Sequence, residues 1–231
     1  GLPDAALQES RDRVRAAISN CNEVWPNRKV TVSLSPAWLP KSGSSFDLAI
    51  AIAILIASSR IPQAPFDSTI ILGELALDGK VRTVRGVLPA LIAAYKSGIT
   101  KAIVPAANHS EAALMTQMQI LTFESLYDVL LWARTGERAI SQELDLEVTE
   151  VDTYLDFSDV AGQSKARFAA EVAASGGHHL LLIGPPGTGK TMIASRIPTI
   201  LPQLSVDQAL EVTAVHSISG SFSTRSPMSL L

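Results

Sequence analysis

The sequence predicts an α/β fold in two units, with α+β the alternative for the first, and three observations carry that expectation. Through residues 1–134, short apolar runs that alternate with polar residues take turns with runs at helical spacing. From Glu137 the chain turns acidic, loses its periodicity and carries no glycine over "ERAISQELDLEVTEVDTYLDFSD", the character of a connector. After it, an apolar run, a glycine-rich loop and a helical pattern follow in direct succession. The expected division is a first domain over 1–134, a linker over 135–155 and the start of a second domain over 156–231.

Composition narrows the function classes. The chain has 231 residues, 47% apolar and 18% charged, enough to build a substantial core. A net charge of −3 gives no whole-chain argument for a nucleic-acid partner. The single cysteine, Cys21, cannot form an internal disulfide, and no Cys/His cluster has zinc spacing. The longest apolar run is Leu48 to Ala57, far short of the roughly 20 residues that span a bilayer. No membrane contact is expected. With no signal peptide visible at Gly1, the expected location is the cytoplasm.

The first unit opens with a helix over "PDAALQESRDRVRAAI", capped by Asp4, with Leu7, Val14 and Ile18 at helical spacing. "KVTVSLS" alternates and predicts a strand. "KSGSSFDLAIAIAIL" predicts a helix ending near Ser58 and Ser59, with Ser44 or Ser45 as its cap and Asp47 at its positive end. Two β-type runs flank Asp78-Gly79, a dipeptide suited to a hairpin turn. "GVLPALIAAYKSG" predicts a helix with Pro89 in its first turn and Gly98 at its end. "KAIVP" predicts a strand, "SEAALM" a short helix, "QILTF" a strand, and "SLYDVLLWARTG" a helix closed by Gly136. In the second unit, helix "SKARFAAEVAASG", buried strand "HHLLLIG", helix "KTMIASRIPTIL" and helix "SVDQALEVTAV" are expected.

The chemistry concentrates in "GPPGTGKT", Gly184 to Thr191, which fits G-x-x-x-x-G-K-[ST] between a predicted strand and a predicted helix. Glycines let consecutive backbone N–H groups converge on phosphate oxygens. The expected site is therefore Gly184, Pro185, Pro186, Gly187, Thr188, Gly189, Lys190 and Thr191. Lys190 would reach the β- and γ-phosphates, and the Thr191 hydroxyl would ligate Mg²⁺. The expected cofactors are ATP and Mg²⁺. His178 and His179 are neighbours, so in a strand they point to opposite faces and do not form a shared metal site. After Leu201 no apolar strand ending in an acidic pair follows, so turnover of ATP is not expected of this chain alone.

Five segments in this order, "GLPDAALQESRDRVRAAI", "SGSSFDLAIAIAIL", "GELALDGKVRTVRGVLPALIAA", "DFSDVAGQ" and "GPPGTGKTMIASRIPTILPQL", resemble the magnesium-chelatase-like AAA+ ATPases of the YifB/ComM type. The resemblance implies a domain with the fold of the Lon protease proteolytic domain, lacking its first strands here, followed by part of a P-loop AAA+ domain. It implies Asp159 to Gln163 near the adenine, a homo-hexamer in the full-length protein, and DNA as partner of a helicase that drives branch migration in natural transformation. A chain truncated at both ends is the corresponding expectation.

The Lon resemblance raises a second reading, a Ser-Lys peptidase. "KSGSSFD" aligns with the Lon nucleophile segment and places Ser45 at the nucleophile. A serine needs a base, and Leu88 stands where the family's lysine would be. Lys41, Lys80 and Lys96 do not match that place. Ser45 is therefore expected to be a structural remnant, with no catalytic residue assigned. A third reading is a non-catalytic module that docks subunits or DNA through Arg11, Arg13 and Arg15, or Arg82 and Arg85, which otherwise form a solvated face.

Overall fold

A computed structural model describes residues 5–35, 44–137 and 155–220. Helix α1, Ala5–Asn20, buries Val14, Ala17 and Ile18 at one-turn spacing. Helix α2, Asp47–Ala57, is apolar on nearly every side, and Leu48, Ala51, Ile52 and Leu55 are fully enclosed. Strand β1, Thr69–Ile71, leads into a hairpin of β2, Glu74–Leu75, and β3, Val81–Arg82, paired Glu74 to Arg82. The hairpin turn closes where the Gly79 N–H donates to the Ala76 carbonyl at 3.0 Å. Helix α3, Val87–Lys96, precedes β4, Lys101–Pro105; helix α4, His109–Ala112, precedes β5, Gln119–Phe123; helix α5, Leu126–Thr135, follows.

Strands β1, β4 and β5 form a parallel sheet in the order β1-β4-β5, with Thr69 opposite Lys101 and Lys101 opposite Gln119. Parallel strands need crossover connections, and α3 and α4 supply them. Alternation along each strand sorts side chains to two faces. Ile103, Leu121 and Phe123 join the core under α1, α2 and α5, whereas Ala102 and Val104 join the core under α3 and α4. The sheet is a middle layer between two sets of helices, as the α/β expectation requires.

Three further helices follow: α6, Ser164–Gly176; α7, Lys190–Arg196; and α8, Val206–Ser219. Phe157, Val160, Ala170 and Ile193 form a third small core with Leu180 and Leu182 packed against it. Helix α8 starts from a capping box in which Ser205 accepts the Gln208 N–H and Gln208 accepts the Ser205 N–H. It crosses to α3, laying Leu210 and Ala214 on the second core. There the Ser217 hydroxyl donates to buried Glu111, which also accepts the Leu88 N–H at 2.8 Å and the Asn108 side-chain amide at 3.2 Å.

Several expectations are corrected. "KVTVSLS" is not a ladder strand, and Val32 is exposed. "HHLLLIG" is not a ladder strand either: Leu180 and Leu182 face the third core, but Leu181 and Ile183 stand 80% and 85% exposed. The first segment alternates and the second is a short apolar run, and both patterns suit a strand; a strand also needs a neighbour to hydrogen-bond, and the described sheets include neither segment. The helix after the loop tightens into a 3₁₀ turn over Ile197–Ile200, where Pro198 has no N–H to give. The Asp4 cap, Lys41 and the central part of the expected linker lie outside the described residues.

Candidate nucleotide site

The loop Gly184–Thr191 follows segment 178–183, which has no regular secondary structure, and enters α7 at Lys190. Gly187 and Gly189 hold φ of +82° and +78°, the left-handed region in which a side chain is disfavoured. The loop is open to solvent from Gly184 to Thr188. Lys190 curls over its own loop: Nζ donates to the Pro185 carbonyl at 2.7 Å and to Thr188 Oγ1 at 3.3 Å, while Thr188 Oγ1 donates to the same carbonyl at 2.9 Å. Both partners of the ammonium are neutral oxygens. Among the described residues no carboxylate pairs with it, so the loop presents an uncompensated positive charge to solvent. Thr191 is exposed on the first turn of α7, where backbone N–H groups lack intrahelical partners. This donor set, an ammonium, a hydroxyl and free backbone N–H groups, fits a phosphate chain.

The segment before α6 runs beside the loop. The Asp156 carboxylate accepts the Ser158 N–H at 2.7 Å, and this backbone hydrogen bond, then the Ser158 hydroxyl, holds its pKa below the ordinary carboxylate value. The Phe157 N–H donates to Thr199 Oγ1 at 3.1 Å, and Arg196 at the end of α7 lies 3.8 Å from Asp159. Gln163 reaches the loop, its side-chain Nε2 donating to the Thr188 carbonyl at 2.8 Å. Gly162, Gln163, Ser164, Arg167, Phe168 and Glu171 line an open cavity of about 430 Å³. Sequence reasoning placed Gln163 beside a base and missed its contact with the loop; its sole signal was a long polar side chain next to a glycine at a helix start.

Ser45 is no helix cap. The N-cap of α2 is Phe46, which makes no side-chain cap hydrogen bond. Ser44 donates instead to Glu74, and the Ser45 carbonyl accepts the Gly73 N–H at 2.9 Å. Asp47, expected to act on the helix end, is fully buried and accepts from Ser10, from Arg13 Nε at 2.8 Å and from the Leu75 N–H at 3.3 Å. The hydrogen bond from Arg13 raises the guanidinium pKa above its ordinary value. The expected basic cluster on α1 is therefore divided, with Arg13 committed to Asp47 and Arg15 placed over Trp25. Leu88 is fully buried, while Lys80 is 75% exposed beside Asp78 and Lys96 is exposed at the end of α3. Among the described residues no lysine meets Ser45. A larger cleft, about 1010 Å³, lies between residues 24–34 and α2, but Ile50, Ala53 and Ile54 give it an apolar wall with no acid–base pair. No cluster of metal-ligating side chains occurs among the described residues. No helix there is long and apolar enough to cross a membrane.

Comparison with known proteins places these features in a family. Residues 1–108 match the model described as subunit ChlI of Mg-chelatase, and residues 156–230 match the model described as magnesium chelatase, subunit ChlI. YifB of Escherichia coli is 43% identical over 94% of this chain and 43% of its own length. Competence protein ComM of Haemophilus influenzae is 40% identical over the same shares. The chain belongs to the magnesium-chelatase-like family of the YifB/ComM type. An uncharacterized protein of Mycobacterium tuberculosis is 50% identical over 99% of the chain and 45% of its own length. The chain thus spans about half the length of the curated relatives it matches. Lon protease 2 of Bacillus subtilis is 33% identical over 42% of this chain and 18% of its own length, a likeness limited to part of the YifB/ComM-type chain.

Proposed function

We propose that this chain is the ATP-binding part of a magnesium-chelatase-like AAA+ ATPase, in which residues 1–134 form a Lon-like domain and residues 156–231 open the AAA+ module. The observation that carries the reading is Lys190, an ammonium with no carboxylate partner among the described residues, folded over a glycine loop of the right pattern. The family's general use of ATP and Mg²⁺ supports it. Gly184 to Thr191 would hold the phosphates, with Lys190 trading its carbonyl partner for phosphate oxygens, and the Thr191 hydroxyl would hold Mg²⁺. When bound, Mg²⁺ supplies charge neutralisation between phosphates. No described residue is assigned to hydrolysis, and α8 follows the loop helix there, so the reading proposed for this chain is nucleotide binding.

Calorimetric titration with ATP and Mg²⁺, run beside a phosphate-release assay, tests this reading. The expected result is weak binding, no steady hydrolysis, and a loss of tenfold or more in Lys190→Ala. That loss corresponds to about 1.5–3 kcal/mol for a charge-assisted hydrogen bond. Steady hydrolysis that Lys190→Ala abolishes would refute the binding-only reading.

The resemblance to competence protein ComM extends the proposal to DNA: the parent protein would be a hexameric, cytoplasmic branch-migration motor. Arg82 and Arg85 are exposed cations that would supply phosphate contacts. Fluorescence anisotropy on a four-way DNA junction tests this, with salt-dependent binding expected. Identical binding by the Arg82→Ala/Arg85→Ala double variant would remove these residues from the interface.

A further inference from the structure

Gln163 is locally disfavoured twice. It adopts φ +54° and ψ +35°, a left-handed conformation that suits glycine and strains other residues. It also holds the N-cap of α6, a place that favours Ser, Thr, Asp or Asn, and its side chain makes no cap hydrogen bond. What offsets both is a contact 25 positions away: Nε2 donates to the Thr188 carbonyl at 2.8 Å. The amide lies against the next residue too, since a Cβ placed on Gly189 would stand 3.0 Å from Nε2.

A trans peptide is planar, so its carbonyl and its N–H point in opposite directions. Holding the Thr188 carbonyl on the Gln163 side turns the Gly189 N–H away from Gln163. In a loop that wraps an anion, donors converge only if each peptide plane is fixed. A glycine pair at φ +82° and +78° has little of its own to fix them. We infer that Gln163 is a positioning residue for the phosphate loop: its amide locks the Thr188–Gly189 peptide so that the Gly189 N–H serves the polyphosphate chain of a nucleotide. The inference rests on the nucleotide reading above. It gives Gln163 a role toward the phosphates, where the family resemblance placed its segment near the base.

The test titrates wild type, Gln163→Glu, Gln163→Gly and Lys190→Ala with ATP and Mg²⁺, with inorganic tripolyphosphate and with adenosine, and records each thermal midpoint. Gln163→Glu is nearly isosteric but has no amide donor, and because its carboxylate repels phosphate in its own right, the uncharged Gln163→Gly decides the test. Both Gln163 variants are expected to lose about three- to tenfold in affinity for ATP and, by the same factor, for tripolyphosphate, with adenosine unchanged. Gln163→Gly relieves the left-handed strain, so its thermal midpoint should hold or rise while affinity falls. A purely structural role would move the two together. Unchanged tripolyphosphate affinity in Gln163→Gly overturns the inference, as does a loss confined to ATP and adenosine. If Lys190→Ala weakens ATP while both Gln163 variants bind like wild type, this inference falls and the nucleotide reading stands. If wild type binds neither ATP nor tripolyphosphate, both fall.

Discussion

Replacing Asp47 should cost this protein more stability than any exposed acidic residue would. The side chain is fully enclosed at the head of α2 and receives three groups from two other elements: the Ser10 hydroxyl and Arg13 guanidinium of α1, and the Leu75 N–H of β2. Asp47→Ala leaves a buried hydroxyl, a backbone N–H and a guanidinium without their acceptor. Breaking one side of a buried pair costs about 3–5 kcal/mol. Here the figure needs a discount, because the Arg13 side chain is 16% exposed and keeps an exposed partner, Glu9, at 3.1 Å. About 2–4 kcal/mol is the expected loss, a fall of roughly 4–16 °C in thermal midpoint for a chain of this size. Urea denaturation of wild type, Asp47→Ala, Arg13→Ala and the double variant gives the cycle. A coupling energy above about 1 kcal/mol is expected, since each single change strands the other group. If Asp47→Ala unfolds within about 0.5 kcal/mol of wild type, or the two changes simply add, the buried pair does not hold α1 to α2 and the reasoning fails.

Three more outcomes are expected. Gly73→Ala should lose about 1–3 kcal/mol, because a Cβ would stand 2.9 Å from Val81 and 3.1 Å from Leu48; a chemical-denaturation midpoint equal to wild type would show that this junction yields. Glu111→Ala, which strands the Leu88 N–H and the Ser217 hydroxyl and leaves the Asn108 amide only its Val84 carbonyl, should release α8 from α3. Hydrogen exchange in α8 should then quicken, and unchanged protection would count against the contact. Burial pushes the Cys21 thiol above its ordinary pKa. The folded state therefore holds its proton where the unfolded chain has begun to lose it, and stability falls as pH rises past the ordinary thiol value. A thiol reagent should label Cys21 only as fast as the protein opens; rapid native labelling would contradict its burial.

The parts of the fold that were legible share one property: their partners lie close in sequence or are specified by a period. Helices α2, α3 and α5 show it, with apolar faces and terminal glycines or serines that predict their ends, and the described ends match closely. The parallel strands β4 and β5 are legible in part for the same reason: α3, α4 and α5 lie next to them in the chain, although α1 and α2 reach one of their faces from far earlier. The misread details have distant partners. Nothing near Ser45 announces that Ser44 will meet Glu74, or that Asp47 will take Arg13 from 34 positions earlier rather than serve the helix end. A lone acid opening an apolar run is compatible with a cap and with a buried pair, and only the fold of α1 over α2 decides between them.

The phosphate loop divides along the same line. Its pattern of glycines, Lys190 and Thr191 is local, and the left-handed glycines and the ammonium above the loop follow from it. Its support is not local. The segment before it has the correct alternation, Leu180 and Leu182 inward, yet Leu181 and Ile183 remain in solvent, because a buried strand is a property of at least three chain segments and one segment's sequence can specify only its own side chains. The contact from Gln163 has the same character: it joins two left-handed turns separated by the whole of α6, and neither turn alone requires it. A loop motif thus predicts which atoms can meet a phosphate, whereas the stiffness with which it presents them is set by residues that the motif does not contain. That is why substitution at Gln163, outside the pattern, is the sharper probe of this site than any further change within it.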